Sequence, residues 1–151
     1  MKYMTKEWYE KCQIAGRPPF DEEIEREVQE IMDSYYNEYK KSFTTDPEFM
    51  ETIDILHDCE VVCFKKAGND YIIRTENSEW GMDGFTDIVL KNAAILKKEF
   101  DDSIKDLIWL YEEMYKTMKG FELHCLFFQC GTGDLFELTT DCENIEISPV
   151  K

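Results

Sequence analysis

The spacing of apolar residues changes once along the chain, near residue 57. Before this point apolar residues recur every three or four positions, as on one face of an α-helix. After it they alternate with polar residues or form short β-branched runs, as in β-strands. We therefore predict an α+β fold, with N-terminal helices (1–56) packed on a mainly antiparallel β-sheet (57–148). A length of 151 residues predicts a single domain spanning 1–151.

Three helices are predicted in the first part of the chain. The first covers residues 1–15, with Thr5 as its N-cap, and the second covers residues 21–43, with Asp21 as its N-cap. The second helix carries an apolar stripe that we expect to face the core, at Ile24, Val28, Ile31, Tyr35 and Tyr39. A third, shorter helix is expected from residue 46, where Asp is followed by Pro.

Residues 107–147 are predicted to form a three-stranded antiparallel meander, the element around which the sheet is built. Its first strand places four residues on one face at period two: Trp109, Tyr111, Glu113 and Tyr115. The second strand has Glu122 and His124 on one face and the apolar residues on the other: Phe121, Leu123, Cys125 and Phe127. The third is the run LFELTTDCENIEI. Residues 101–118 also have helical spacing, so a helix is the alternative there.

Two further β-elements are predicted between the helices and the meander. Residues 58–76 form a β-hairpin with a turn containing Gly and Asn, and we expect it to join the same sheet. A loop with two glycines follows. Residues 86–99 are predicted as one or two strands, with a helix over residues 91–100 as the alternative.

The charge of the chain narrows the classes of partner. There are 17 Lys and Arg residues against 33 Asp and Glu residues, so the net charge is −16. Such a surface repels nucleic-acid phosphates and anionic lipids, and we expect neither nucleic acid nor membrane as a partner. An acidic surface of this kind suits a basic protein as partner. The chain shows neither a signal-peptide pattern nor an apolar run of ~20 residues, so a cytoplasmic location is expected. The composition leaves the oligomeric state open.

The six cysteines are expected to be free thiols, because a reducing cytosol disfavours disulfides. We expect Cys63 and Cys125 to be buried. A zinc site is conceivable from His57, Cys59 and Cys63 on one strand face, completed by His124 or Cys125. However, a C-x₃-C spacing on a strand separates the thiols by roughly 13 Å. We therefore predict no metal site, and the sequence indicates no cofactor.

Two places could carry a binding site. His57 and Asp58, at the predicted helix-to-strand junction, are the local grouping of residue types closest to a catalytic pair, together with Cys59. Trp80 lies in the glycine-containing loop, where a tryptophan can anchor a partner. Motifs typical of nucleotide binding or hydrolysis are missing from the sequence. We assign no catalytic residue, and we predict His57, Asp58 and Trp80 as candidate binding residues.

Three segments together carry a family resemblance: MKYMTKEWYEKCQ, LHDCEVVCFKKAGNDYIIRTEN, and WLYEEMYKTMKGFELHCLF with DLFELTTDCENIEI. The chain resembles a family of uncharacterised bacterial proteins catalogued as domain of unknown function 4085. The resemblance covers the first dozen residues and the chain from Leu56, and residues 17–55 look like a shortened version of the family. It implies no activity and no catalytic residues. The β-rich part is also similar to small bacterial proteins, some of which are regarded as toxin-neutralising immunity proteins.

Two functional hypotheses follow. The first is a non-catalytic interaction protein, an inhibitor or immunity-like domain for a basic partner, which the charge and the lack of catalytic motifs favour. The alternative is a small-ligand-binding protein or enzyme with a pocket between helices and sheet, using His57, Asp58 or Cys59.

Overall fold

The computed structural model describes residues 1–40, 53, 56–76 and 84–150. Backbone contacts divide the chain into two compact units, residues 1–51 and residues 52–151. The first unit contains helices and the second contains the β-sheet, whose strand pairs are antiparallel, so the predicted α+β class is confirmed. The helix predicted from residue 46 and the loop residue Trp80 lie outside the described residues. None of the described helices has the length and apolar character needed to cross a membrane.

The helical unit begins with two α-helices whose caps are those predicted. Helix α1 (Lys6–Ile14) starts after Thr5, and helix α2 (Glu22–Ser34) starts after Asp21. The side-chain oxygens of both caps accept hydrogen bonds from backbone N–H groups of the first turn, which satisfies donors that the helix itself leaves unpaired. Helix α2 continues directly into a π-helical segment, Tyr35–Lys40.

The apolar stripe of the second helix is only partly buried, which corrects the prediction. Tyr35 and Tyr39 are buried, but α2 itself has no buried residue. Its aliphatic side chains are half-buried: Ile24, Val28, Ile31 and Met32. Helices α1 and α2 are joined by an ion pair of 2.7 Å between Lys11 Nζ and Glu27 Oε2. Periodicity identified the apolar face correctly, but it could not predict how far that face is covered.

The described residues of the sheet unit form eight strands: β1 (Glu60–Ala67), β2 (Asp70–Glu76), β3 (Phe85–Lys91), β4 (Ala94–Lys98), β5 (Leu107–Lys116), β6 (Phe121–Gln129), β7 (Leu135–Cys142) and β8 (Asn144–Val150). Their order is β4-β7-β6-β5-β1-β2-β3-β8. Strands β5, β6 and β7 form the predicted meander, and residues 58–76 supply the predicted hairpin β1–β2 in the same sheet. The alternative helices over 101–118 and 91–100 are wrong, because strands occupy both places.

The third strand of the meander differs from the prediction. The run LFELTTDCENIEI is interrupted at Glu143, which separates β7 from β8. Strand β7 is second in the sheet order and β8 is last, although one residue joins them. At this junction the Glu143 N–H donates to the carbonyl oxygen of Lys91 at 2.9 Å. The sheet therefore curves until its two ends approach each other at Glu143.

A β-bulge in β5 corrects the predicted face of Trp109. The pairing with β6 shifts register between Trp109, which faces Phe127, and Tyr111, which faces Leu126. The extra residue is Leu110. Because it reverses the alternation, Trp109 lies on the face opposite to Tyr111, rather than on the same face.

The face of the sheet that carries Trp109 forms the core of this unit. Four aromatic rings meet there in edge-on contacts with centroid distances between 5.4 and 5.8 Å: Phe64, Phe100, Phe127 and Trp109. Fully buried aliphatic side chains complete it, among them Ile73, Ile88, Leu90, Leu123 and Leu138. Burial of such side chains is the main favourable term in folding.

All six cysteines are free thiols. Cys125 is fully buried, as predicted, whereas Cys63 is only half-buried, which corrects the second part of that prediction. Burial raises the pKa of Cys125 well above its usual value, and the charge of Glu112 adds to this effect. Burial likewise raises the pKa of Cys142 to about 11. Both thiols are therefore unreactive in the folded protein.

Candidate functional site

Polar side chains of three neighbouring strands gather on the face of the sheet opposite to Trp109. We call this group the polar cluster; it consists of Tyr111, Glu113, Tyr115, Glu122, His124 and Thr139. The strand register explains the grouping, because Glu113 pairs with His124 across β5–β6 and His124 pairs with Thr139 across β6–β7. Directly opposed residues in antiparallel strands have neighbouring side chains. The predicted placement of Glu122 and His124 on one face of β6 is confirmed.

His124 is held by contacts to both ring nitrogens. Its Nε2 lies 2.7 Å from Glu122 Oε1, and its Nδ1 lies 3.3 Å from Thr139 Oγ1. The ring also meets that of Tyr115 edge-on at 5.5 Å. These contacts fix the orientation of the imidazole.

Glu113 is the most buried member of the polar cluster, with no exposed surface. The hydroxyl of Tyr115 donates a hydrogen bond to Glu113 Oε2. A carboxylate that is removed from water is stable only if hydrogen bonds or charges compensate for the lost hydration. The Tyr115 hydroxyl therefore stabilises a group that would otherwise oppose folding.

The order Thr139–His124–Glu122 is that of a hydroxyl, a base and an orienting carboxylate, as in nucleophilic hydrolases. Such chemistry also needs hydrogen-bond donors that converge on a developing oxyanion, commonly two backbone N–H groups. Here the three residues lie in paired strands, whose backbone N–H groups point along the sheet rather than out of its face. The polar cluster therefore has the features of a structural hydrogen-bond network.

His57 and Asp58 adjoin the polar cluster. The Nδ1 atom of His57 lies 3.0 Å from Asp58 Oδ2, and its ring meets that of Tyr111 edge-on at 4.9 Å. Asp58 has a positive φ of 65°, and its N–H donates to the carbonyl oxygen of Trp109 at 2.7 Å. Tyr111 thus connects the two predicted residues to the cluster. Among the described residues, no three His, Cys, Asp or Glu side chains are placed to hold a metal ion together.

Glu112 carries a second buried carboxylate, and sequence reasoning missed its burial as well as that of Glu113. The Oε2 atom of Glu112 accepts a hydrogen bond of 2.8 Å from Trp109 Nε1 inside the sheet core, where Glu112 pairs with Cys125. The adjacent pair Glu112-Glu113 looks like ordinary surface charge in so acidic a chain. In the structure the two carboxylates lie on opposite faces of β5, and both are buried.

The start of α2 carries the clearest unpaired charge. Glu22, Glu23 and Glu25 lie in its first turn, and in the part of the chain that the structure describes no cationic group lies within 4.0 Å of them. Two other acids of this helix do have partners. Glu27 pairs with Lys11, whose pKa is raised by hydrogen bonds to Glu27 and then Glu7, and Glu30 lies 3.8 Å from Arg26.

Comparison with known proteins identifies a family of unknown function. A family model described as "Protein of unknown function (DUF4085)" matches residues 18–136, which confirms the predicted resemblance. The match runs through most of 17–55, where we expected a departure from the family, and does not include the first dozen residues. A comparison with curated proteins gave no match, and a comparison with solved structures gave none.

Proposed function

The chain belongs to DUF4085, a family of unknown function, and from its own charges and contacts we propose that it is a non-catalytic interaction protein for a basic partner. In this role it acts as an inhibitor or immunity-like domain, which covers a basic surface of its partner. The acidic surface that begins at α2 is the binding surface.

The unpaired charge at the start of α2 is the observation that carries this proposal. Three glutamates in one helical turn, without a cation within 4.0 Å among the described residues, repel one another and favour a positively charged neighbour. The N-terminal end of a helix stabilises nearby negative charge, so the helix can tolerate this run. A basic partner would relieve the repulsion and would be attracted from a distance.

The polar cluster also supports a non-catalytic role. Its histidine has contacts at both ring nitrogens, and its buried carboxylate accepts a hydrogen bond from Tyr115. A network of this kind stabilises one arrangement of side chains. The cluster is thus accounted for as part of the fold.

A pull-down from the native host, followed by mass spectrometry, would identify the partner. Association rates would then be measured at increasing salt for the wild type and for a variant with Glu22, Glu23 and Glu25 changed to Lys. We expect salt and the triple reversal each to slow association by at least about tenfold, with a smaller effect on dissociation. The reversal should cost about 0.5 kcal/mol of stability per residue, because these side chains are exposed or half-buried.

A matched control changes the net charge equally at other exposed acids, with Asp102, Asp134 and Glu143 replaced by Lys. If both triple variants slow association to the same degree, the total charge matters and α2 is not the binding surface. The proposal would be contradicted if the association rate is unchanged by salt and by both triple variants. If the pull-down recovers no macromolecule, the small-ligand alternative becomes the better hypothesis, and the polar cluster with His57 and Asp58 is its first site to test.

A further inference from the structure

The loop between α1 and α2 exposes apolar side chains to solvent. We call Pro18, Pro19 and Phe20, together with Ile14 at the end of α1, the apolar loop; all four are exposed. Phe20 has 67% of its surface exposed and Ile14 has 53%. Isolated apolar residues on a surface are ordinary, but several within one short loop resemble the apolar anchor region of a binding site.

The local structure presents these residues at one end of the helix pair. Ile14 is the last residue of α1, and the Arg17 N–H donates to its carbonyl oxygen at 3.1 Å, which turns the chain. Gly16 has a φ of 74°, a conformation that glycine adopts without strain. Phe20 directly precedes Asp21, the cap of α2.

The surroundings of the apolar loop are acidic. Asp21, Glu22 and Glu23 follow Phe20 directly and are all exposed, and Arg17 is the one basic residue between positions 12 and 25. An anionic lipid surface would be repelled by these charges, and so would a second copy of a chain whose net charge is −16. A cationic protein segment with an apolar side fits both the loop and its rim.

We propose that the apolar loop binds a cationic amphipathic helix of the partner, whose apolar side covers Phe20 and Ile14 while its Lys or Arg side chains contact the acidic start of α2. This inference rests on the proposed function and adds the kind of segment that is recognised. Amphipathic helices bind other proteins in this way, with apolar anchors at helical spacing. Here Phe20 is the principal anchor, because it is the larger and the more exposed of the two side chains.

Two labelled synthetic peptides of equal positive charge test the inference by fluorescence anisotropy. One has leucines at helical spacing between its lysines, and in the other serines replace the leucines. The protein variants are Phe20→Ser and, as a matched control in the sheet unit, Leu96→Ser, since Leu96 is 57% exposed. Circular dichroism spectra show whether both variants keep the wild-type fold.

We expect Phe20→Ser to weaken binding of the leucine peptide by about tenfold, because a buried Phe side chain contributes enough apolar contact for such a change. Leu96→Ser should have no effect, and neither variant should change binding of the serine peptide. Equal binding of the leucine peptide to the wild type and Phe20→Ser would overturn the inference. The proposed function would still stand in that case if partner binding depends on salt and is lost when Glu22, Glu23 and Glu25 are changed to Lys. If Phe20→Ser does not weaken peptide binding, and partner binding responds neither to salt nor to the triple reversal, both proposals are contradicted.

Discussion

The two units of the chain bury different kinds of side chain. Most of the buried residues described in the sheet unit are apolar, such as Leu123, Ile88 and the rings around Phe127, and a few are polar, such as Glu112. Among the described residues of the helical unit, the buried ones are Tyr3, Met4, Trp8, Tyr35 and Tyr39. Four of these five are aromatic residues with a polar end. The sheet unit thus depends mainly on apolar volume, whereas the helical unit combines ring packing with hydrogen bonds.

Polar groups of the buried aromatic side chains in the helical unit have specific hydrogen-bond partners. Trp8 Nε1 lies 3.4 Å from the carbonyl oxygen of Val28, and the Tyr3 hydroxyl donates to Glu38 at 2.9 Å. The rings of Tyr35 and Tyr39 stack at 5.0 Å. Buried Tyr and Trp contribute both apolar area and a hydrogen bond, so the orientation of each side chain is fixed as well as its position. This difference predicts which substitutions each unit tolerates.

The largest expected effect is the loss of stability on truncating a core side chain, which should differ between the two units. Leu123→Ala in the sheet core should lower the free energy of unfolding by about 3 kcal/mol, because it leaves a cavity among fully buried side chains. Val28→Ala in α2 removes a half-buried side chain and should cost about 1 kcal/mol. Urea unfolding followed by circular dichroism measures both values. Equal losses would show that the half-buried face of α2 is as important to stability as the sheet core.

A second substitution tests how closely the strands of the sheet unit approach. A Cβ added at Gly120 would lie 2.5 Å from the carbonyl oxygen of Glu143 and closer still to that of Cys142. Gly120→Ala should therefore cost about 2 kcal/mol, because the backbone at the β7–β8 junction must move. Gly131→Ala is the control, since an added Cβ there meets no atom within 4 Å. Thermal unfolding of both variants provides the measurement, and similar melting temperatures would contradict the prediction.

The smallest expected effect concerns an ion pair on the sheet. Arg74 binds Asp87 through two hydrogen bonds of 2.6 and 2.8 Å, and this holds the pKa of Asp87 below its usual value. Because the folded pKa is lowered, the ionised pair stabilises the fold above the unfolded pKa of about 3.9. This stability is lost as the pH falls through the lower folded pKa. Asp87→Asn should cost about 1 kcal/mol at neutral pH and progressively less in acid.

Unfolding experiments between neutral pH and pH 2 on wild type, Asp87→Asn, Arg74→Gln and the double variant would isolate the pair. A coupling energy that does not change with pH would show that the two side chains contribute by packing alone. The pair would then contribute in the same way as the apolar core of the sheet unit, which would sharpen the contrast between the two units.

Strict alternation allowed the strands to be predicted where nothing interrupts it. Strand β6 carries Glu122 and His124 on one face, as predicted. The prediction was wrong where one residue changes the alternation. Leu110 reverses the face of Trp109, and Glu143 separates two strands that look continuous in sequence. A bulge of this kind depends on the partner strand, so the pattern within a single strand does not reveal it.

The polar cluster was partly predictable. Counting outward from the turn at Gly120, Lys116 faces Phe121 and Glu113 therefore faces His124, which is the observed register. This count uses only the turn and the period of a strand. The burial of Glu113 and Glu112 was not predictable, since it depends on tertiary contacts on both faces of β5. The predicted residues His57 and Asp58 lie beside the cluster, but the contact of His57 with Tyr111 joins elements that are far apart in sequence.

The single residue between β7 and β8 has a consequence for the order of folding. The hairpins β1–β2, β5–β6 and β6–β7 pair residues that are close in sequence, whereas β3 pairs with β8 and β4 with β7 over long separations. Contacts between distant residues require closure of a long loop and are expected to form late. We therefore expect the local hairpins to assemble first, and the pairings of β4 with β7 and of β8 with β3 to complete both ends of the sheet in one late step. The rate of that step would set the folding time of the sheet unit.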